Sequence, residues 1–185
     1  EEAVKGAAWS ERRGYALKEG KAAGVTGVAS SGEFGTANVM KAPTVSRPVV
    51  PFPTVNWPAS DPLVTAIGGT SLCTDAETGT TVDSVSGPAS CQQSPGQREV
   101  TWNNSDPPPI PGLSIPIATG GGFSHLFAQP SFQAGVTGNA MRGVPDVAYN
   151  ADPFTAIPIY LSSSGNQPGW YLAGGTSAGS PQWAG

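Results

Sequence analysis

The segment VTGVASSGEFG, residues 25–35, decides the fold class of this sequence. It opens with a short apolar run of the kind that forms a buried strand, and a glycine turn follows at once. A helix is predicted just before it, because Ser10 is a residue type that caps helices and Gly24 is one that ends them. A helix, a short strand and a glycine turn in this order predict an α/β fold, with function expected at the strand ends.

Further apolar runs extend this prediction along the chain. A second strand is expected at residues 64–67, closed by the glycine turn 68–70, and another strand is expected at 144–148. Two runs, 157–161 and 170–173, have the spacing of a hairpin around a Ser-Ser-Gly-Asn turn.

The composition excludes several classes of protein. The 25 glycines and 19 prolines make up about a quarter of the 185 residues, roughly twice the usual share. The chain carries only 9 Lys and Arg and has a net charge of −4, which argues against a nucleic-acid partner. No apolar run approaches the ~18 residues of a membrane span. With 38% hydrophobic residues the chain can bury a core, so a loop-rich globular domain is expected.

The two cysteines, Cys73 and Cys91, lie in a stretch rich in turn residues, 73–117, which we expect to form surface hairpins and loops. An even count in such a stretch predicts a disulfide in a secreted protein, and two free thiols are the alternative. Two isolated cysteines are too few for a zinc site. We therefore expect an extracellular protein without a metal site of its own in this chain.

The segment GGTSAGSP, residues 174–181, contains the strongest candidate for a catalytic residue in this sequence. A serine after a strand and a glycine turn, at the start of a helix, presents its hydroxyl where the helix N-terminus stabilises negative charge. The alternative is that Ser177 only caps the helix. The same residues also match Gly-x-Ser-x-Gly, the nucleophile elbow of α/β-hydrolases, which leaves an esterase as a further interpretation. His125, the only histidine, is expected to be a partly buried loop residue.

Several motifs that occur in a fixed order identify a protein family more specifically than any single motif does. They lie at residues 28–35, 57–70, 99–102, 118–124, 142–148 and 174–181. This set resembles the sedolisins, the serine-carboxyl peptidases related to subtilisins, over nearly the whole chain. The resemblance implies an α/β fold with a subtilisin-like parallel sheet flanked by helices. It also implies that residues 1–185 form a single, partial peptidase catalytic domain, truncated at both ends.

The resemblance also assigns roles to residues. It implies that Ser177 is the nucleophile and that Glu33 is the carboxylic acid that donates to the oxyanion, where the family usually has Asp. It implies a glutamate base oriented by an Asp four residues later, and no Glu of this chain is followed by Asp at that spacing. The base is therefore expected outside this chain. The run Gly120, Gly121 and Gly122 is expected to form a wall of the substrate cleft, and a flexible turn is the alternative.

The implied activity is hydrolysis of peptide bonds at acidic pH, where a glutamate base with a pKa near 4.3 still accepts a proton. The implied partners are a polypeptide substrate and an N-terminal prosegment, with no nucleic acid and no membrane. The family also implies calcium, with ligands outside this chain. A non-catalytic, peptide-binding family member is the rival interpretation, because Glu33 departs from the family pattern.

Overall fold

The computed structural model describes residues 6–38, 50, 52–75, 78, 80, 89–105, 117–162 and 168–185. The helices in these ranges are α1 (Ala7–Ala22), α2 (Ala89–Gln92) and α3 (Thr176–Ala184). The strands are β1 (Gly27–Ser30), β2 (Val64–Leu72), β3 (Glu99–Thr101), β4 (Gly122–Ala128), β5 (Met141–Val144), β6 (Val147–Asn150), β7 (Ile157–Leu161) and β8 (Gly169–Ala173). Short 3₁₀ turns lie at Ser131–Gln133 and Pro153–Thr155.

Strand β2 is the centre of the main sheet. Strand β1 pairs with it in parallel from Gly27 opposite Val64, and β6 pairs with it in parallel from Val147 opposite Ile67. Strand β3 pairs with its far end in the antiparallel direction. Helix α1 packs on β1, and α3 packs on β1, β2 and β6. This confirms the predicted α/β class, a parallel sheet flanked by helices.

The predicted glycine turn at the end of β2 is wrong, because the strand runs through Gly68 and Gly69 to Leu72. A Cβ at Gly68 would lie 2.5 Å from Cγ of Pro145, and a Cβ at Gly69 would lie 2.6 Å from Cβ of Ala151. Glycine is therefore needed here because neighbouring chain segments pack directly on the strand, and not because the backbone turns.

The predicted start of the first helix is also wrong. Helix α1 begins at Ala7 after Gly6, whose φ of 74° is one that glycine adopts readily. Ser10 lies inside the helix, is buried, and donates its Oγ hydrogen to the carbonyl O of Gly6 at 3.3 Å. A serine in the first turns of a helix can bond back to the preceding turn in this way. The presence of a serine at position 10 therefore did not identify the first residue of the helix.

Two antiparallel ribbons stand beside the main sheet. The predicted pairing of these two runs is confirmed, since β7 and β8 pair from Ile157 opposite Ala173 to Leu161 opposite Gly169. The turn predicted between them, at 163–166, lies outside the described residues. The other ribbon joins β4 to β5. The expected strand at 144–148 is two strands, β5 and β6, interrupted at Pro145, which has no N–H to donate to a ladder.

The region expected to form surface hairpins and loops contains the antiparallel strand β3 and also a short helix, α2, which was not expected. Cys73 follows β2 directly, Cys91 lies in α2, and the two are joined with a Cα–Cα distance of 5.5 Å. Both are 1% exposed. The bond therefore ties α2 to the end of the central strand.

Asp146, the residue just before β6, has a structural role. Its carboxylate accepts the N–H of Ala66 at 2.8 Å and pairs with the fully buried guanidinium of Arg142 at 2.5 Å. Gln133 donates to the same carboxylate at 3.1 Å. These bonds fix the start of β6 against β2.

Candidate active site

The turn that carries Glu33 follows the carboxyl end of β1 and is held on its far side by the strand-like segment 118–120. The N–H of Gly120 donates to the carbonyl O of Gly32 at 2.7 Å, and the N–H of Ala118 donates to the carbonyl O of Glu33 at 3.0 Å. The N–H of Gly35 returns a bond to Ala118 at 3.1 Å. The backbone on both sides of the Glu33 side chain is thereby fixed.

Gly32 is required at its position for two reasons. Its φ of 105° is one that residues with a side chain rarely adopt, and a Cβ there would lie 2.2 Å from Nδ2 of Asn56. That amide nitrogen donates to the carbonyl O of Ser31 at 3.0 Å. The Asn56 side chain therefore packs against Gly32 and stabilises the turn through its hydrogen bond to Ser31.

Ser177 is presented by the first turn of α3. The chain enters this helix through Gly175, which has a φ of 87° and donates its N–H to the carbonyl O of Ala151 at 2.6 Å. Gly175 is the N-cap residue and no side chain caps the helix, so the interpretation of Ser177 as a helix cap is wrong. Ser177 is exposed and its hydroxyl bonds to none of the described residues.

A close approach of α3 to the sheet holds this helix in place. A Cβ at Gly179 would lie 2.8 Å from Cβ of Tyr149 on β6 and 3.0 Å from Cγ2 of Ile67 on β2. The small residue lets the helix lie directly on the strands. The position of Ser177 is therefore set by the packing of α3 on the parallel sheet.

Thr176 connects the helix to the Glu33 turn. Its side chain is fully buried, and its Oγ1 accepts the N–H of Gly32 at 3.0 Å. The same hydroxyl donates to Oε1 of Glu33 at 2.8 Å. The half-buried carboxyl of Glu33 is thus bound to the residue that immediately precedes Ser177. Thr176 was not predicted as a site residue from the sequence, although it lies inside the serine motif and carries a hydroxyl.

A cleft of about 320 Å³ is lined in part by Ser177. One wall is the β7–β8 ribbon, with Ile157, Ile159 and Ala173, and the other is the exposed side of α3, with Ser177 and Pro181. Among the residues that the structure describes, no charged side chain lines it, and Glu33 is not part of its lining. Ser177 therefore lines an apolar cleft, and the residue before it binds Glu33.

The glycine run 120–122 packs against the Glu33 turn at its first residue. A Cβ at Gly120 would lie 2.0 Å from the carbonyl O of Ser31, and Gly120 is buried. Gly121 and Gly122 are half-buried, and Gly122 opens β4 opposite Val144. The role of this run as a wall of the substrate cleft stays a prediction, and the packing gives Gly120 a structural reason to be glycine.

His125 lies in β4 and not in a loop. It is exposed, its Nε2 lies 2.7 Å from the carbonyl O of Pro53, and its ring meets Phe52 edge-on. These contacts account for the residue as part of the surface formed by β4 and the segment before Asn56.

The α/β-hydrolase interpretation does not fit the geometry around Ser177. A nucleophile elbow places its serine in a sharp turn between a strand of the central sheet and a helix. Strand β8, which leads to Ser177, pairs with β7 in a separate ribbon within the described part of the chain, and Ser177 is already inside α3. An esterase of that type is therefore disfavoured.

The described residues offer no evident site for the implied calcium ion, because no three His, Cys, Asp or Glu side chains come together among them. In the same ranges, no helix has both the length and the apolar character that crossing a membrane requires.

Comparisons with known proteins agree on one family, although no family model matches the chain. Kumamolisin of Bacillus sp. (strain MN-32) is 33% identical over an alignment of 138 residues that covers 70% of this chain and 20% of kumamolisin. Sedolisin of Pseudomonas sp. (strain 101) is 33% identical over 132 residues, which are 71% of this chain and 18% of that protein. Xanthomonalisin of Xanthomonas sp. (strain T-22) is 35% identical over 135 residues, 71% of this chain and 14% of xanthomonalisin.

The fold gives the same answer. Pseudomonas sedolisin, a serine-carboxyl proteinase solved with two molecules of pseudo-iodotyrostatin, matches with a TM-score of 0.65 and 27% identity over 96% of this chain and 42% of that one. The chain spans a fifth or less of the length of the curated relatives named above. With sequence and fold in agreement, we conclude that the chain belongs to the sedolisin family and corresponds to part of its longer relatives.

Proposed function

We propose that the protein containing this chain hydrolyses peptide bonds in acid, with Ser177 as nucleophile and Glu33 as donor to the oxyanion. Residues 1–185 would be one partial catalytic domain of that peptidase. The observation that carries the proposal is the placement of a carboxyl group, Glu33, against the residue next to an exposed serine at a helix N-terminus.

The proposed reaction follows the usual course of acyl transfer. Oγ of Ser177 attacks the scissile carbonyl carbon, and its proton passes to a glutamate outside this chain. The protonated carboxyl of Glu33 donates a hydrogen bond to the oxygen that becomes negative. The leaving amine takes the proton from the base, and water then hydrolyses the acyl-enzyme. Acid solution favours the protonated form of a donor carboxyl, while a glutamate base can still work there.

The surroundings of Ser177 support a polypeptide as substrate. The cleft beside it is apolar and without charged groups, so it suits an uncharged side chain of a peptide. The family implies, in addition, a secreted protein with an N-terminal prosegment and a calcium site whose ligands lie outside this chain. These remain part of the proposal for the whole protein.

The test compares two serines of α3 in the full-length protein. Ser180 lies one helical turn from Thr176 and donates to its carbonyl O at 3.4 Å, so it is a matched control. We expect Ser177→Ala to abolish cleavage of a denatured protein at about pH 4, and Ser180→Ala to keep most of it. Equal activity of the Ser177→Ala variant and the unmodified protein would reject Ser177 as the nucleophile.

The rival function, peptide binding without catalysis, makes the opposite forecast in the same assay. It expects the unmodified full-length protein to bind a peptide but to leave it uncut at every acidic pH. The departure at Glu33 is the feature in its favour. The isolated 185-residue chain does not separate the two, because we expect it to be inactive without its base.

A further inference from the structure

We propose that Thr176 is a positioning residue that decides which oxygen of Glu33 carries the acid proton. This inference rests on the proposed function and goes beyond it, because it gives a role to a residue that does not touch the substrate. The feature that carries it is the single buried hydroxyl shared between Gly32 and Glu33.

The hydrogen bonds of Thr176 leave little choice for its one proton. A hydroxyl has one hydrogen to donate and two lone pairs to accept. The Gly32 N–H donates to Oγ1 at 3.0 Å, so this contact uses a lone pair. Two acceptors compete for the proton, Oε1 of Glu33 at 2.8 Å and the carbonyl O of Gly32 at 3.3 Å. The shorter contact assigns the proton to Glu33.

This assignment fixes the protonation pattern of the acid. An oxygen that accepts a hydrogen bond from Thr176 cannot at the same time point its own proton at that hydroxyl. In the neutral acid the proton therefore sits on Oε2, the oxygen left free to donate to a substrate oxyanion. Without the Thr176 hydroxyl, either oxygen can carry the proton and the carboxyl can rotate.

The burial of Thr176 makes this arrangement persistent. Its side chain is fully buried, so water does not compete for the hydroxyl. The carboxyl lies beside the residue that enters α3, since a Cβ added at Gly175 would be 3.3 Å from its Oε1. A glutamate side chain is more flexible than an aspartate, and the hydrogen bond from Thr176 supplies the restraint that its extra methylene would otherwise remove.

The test uses Thr176→Val, which keeps the shape but loses the hydroxyl, and Thr176→Ser, which keeps the hydroxyl but loses the methyl group. In the full-length protein we expect Thr176→Val to lower kcat about 10- to 100-fold with KM within about 3-fold, since the transition state alone is affected. We expect Thr176→Ser to retain kcat within about 3-fold. If Thr176→Val does not fold, Thr176→Ala takes its place.

A double-mutant cycle with Glu33→Ala separates a role through Glu33 from a role in packing. In the Glu33→Ala background, we expect removal of the Thr176 hydroxyl to change kcat by less than about 2-fold. Additive losses, an unchanged kcat in Thr176→Val, or an equal loss in Thr176→Ser would each overturn the inference. Failure of the proposed function has a different signature, namely full activity of the Ser177→Ala variant.

Discussion

The N–H of Gly120 donates to the carbonyl O of Gly32 at 2.7 Å, which joins two glycine segments that lie far apart in the sequence. This bond lies directly before Glu33, so the position of the proposed oxyanion donor depends on a contact with a distant part of the chain. The approach is so close that it leaves no room for a side chain on Gly120.

We therefore predict that Gly120→Ala destabilises the protein severely. The new Cβ would lie 2.0 Å from the carbonyl O of Ser31, and neither backbone can move without breaking the bonds of the Glu33 turn. We expect a loss of about 3 kcal/mol or more in the free energy of unfolding, measured by denaturant titration. Gly138 is the control, because a Cβ there meets nothing within 4 Å and alanine should change stability by less than about 1 kcal/mol. Equal stability of the two variants would contradict this packing.

The sequence reveals the glycines at such positions but not the reason for them. Gly32 was predicted to lie in a turn, and its φ of 105° agrees. Gly68 and Gly69 have the same local appearance, yet they lie within β2, where Pro145 and Ala151 pack on them. Local propensity cannot separate these cases, because a turn and a close approach of distant segments both require the absence of a side chain.

We predict that Glu33→Asp lowers activity rather than raising it. The shorter side chain would retract the carboxyl by more than about 1 Å and break its bond to Thr176, and such a displacement costs up to about 100-fold in rate. We expect kcat on a peptide in acid to fall about 10-fold or more. A gain in rate would mean that Glu33 is a damaged site and not an adapted one.

Glu99 provides a matched control for the Glu33→Asp variant. It accepts a hydrogen bond from the threonine hydroxyl of Thr70 at 2.7 Å, as Glu33 does from Thr176, but at an exposed position. Glu99→Asp should leave kcat unchanged within about 2-fold. A comparable loss there would show that shortening any such pair disturbs the fold.

We predict that the Cys73–Cys91 bond stabilises the folded chain by about 3 kcal/mol, the value expected for a loop closed over 18 residues. Replacing both cysteines by serine should lower the midpoint of denaturant unfolding accordingly. Reductant should lower that of the unmodified protein and leave the double variant unaffected. No effect of either treatment would mean that α2 is held to β2 by its other contacts alone.

The fold was more predictable than the arrangement of the site. The order of the motifs predicted the α/β class, and apolar spacing predicted the β7–β8 ribbon. The bond between Thr176 and Glu33 joins residues 143 positions apart. Their meeting depends on α3 lying on β2 and β6 through Gly179. No local sequence pattern encodes that packing. The sequence therefore indicated Ser177 and Glu33 as candidates, but not the Thr176 hydroxyl that binds Glu33 next to Ser177.

The most direct test of Ser177 as the nucleophile is its reaction with a peptide aldehyde whose carbonyl carbon is ¹³C-labelled. In the full-length protein in acid, Oγ of Ser177 should add to this carbon and form a hemiacetal. The former carbonyl oxygen should then either be protonated or accept a hydrogen bond from Glu33. We expect the unmodified protein and the Ser180→Ala variant to show a ¹³C resonance of a tetrahedral hemiacetal carbon. This resonance should be absent in the Ser177→Ala variant. An equal tetrahedral signal in Ser177→Ala, or none in the unmodified protein while the aldehyde is bound, would contradict it.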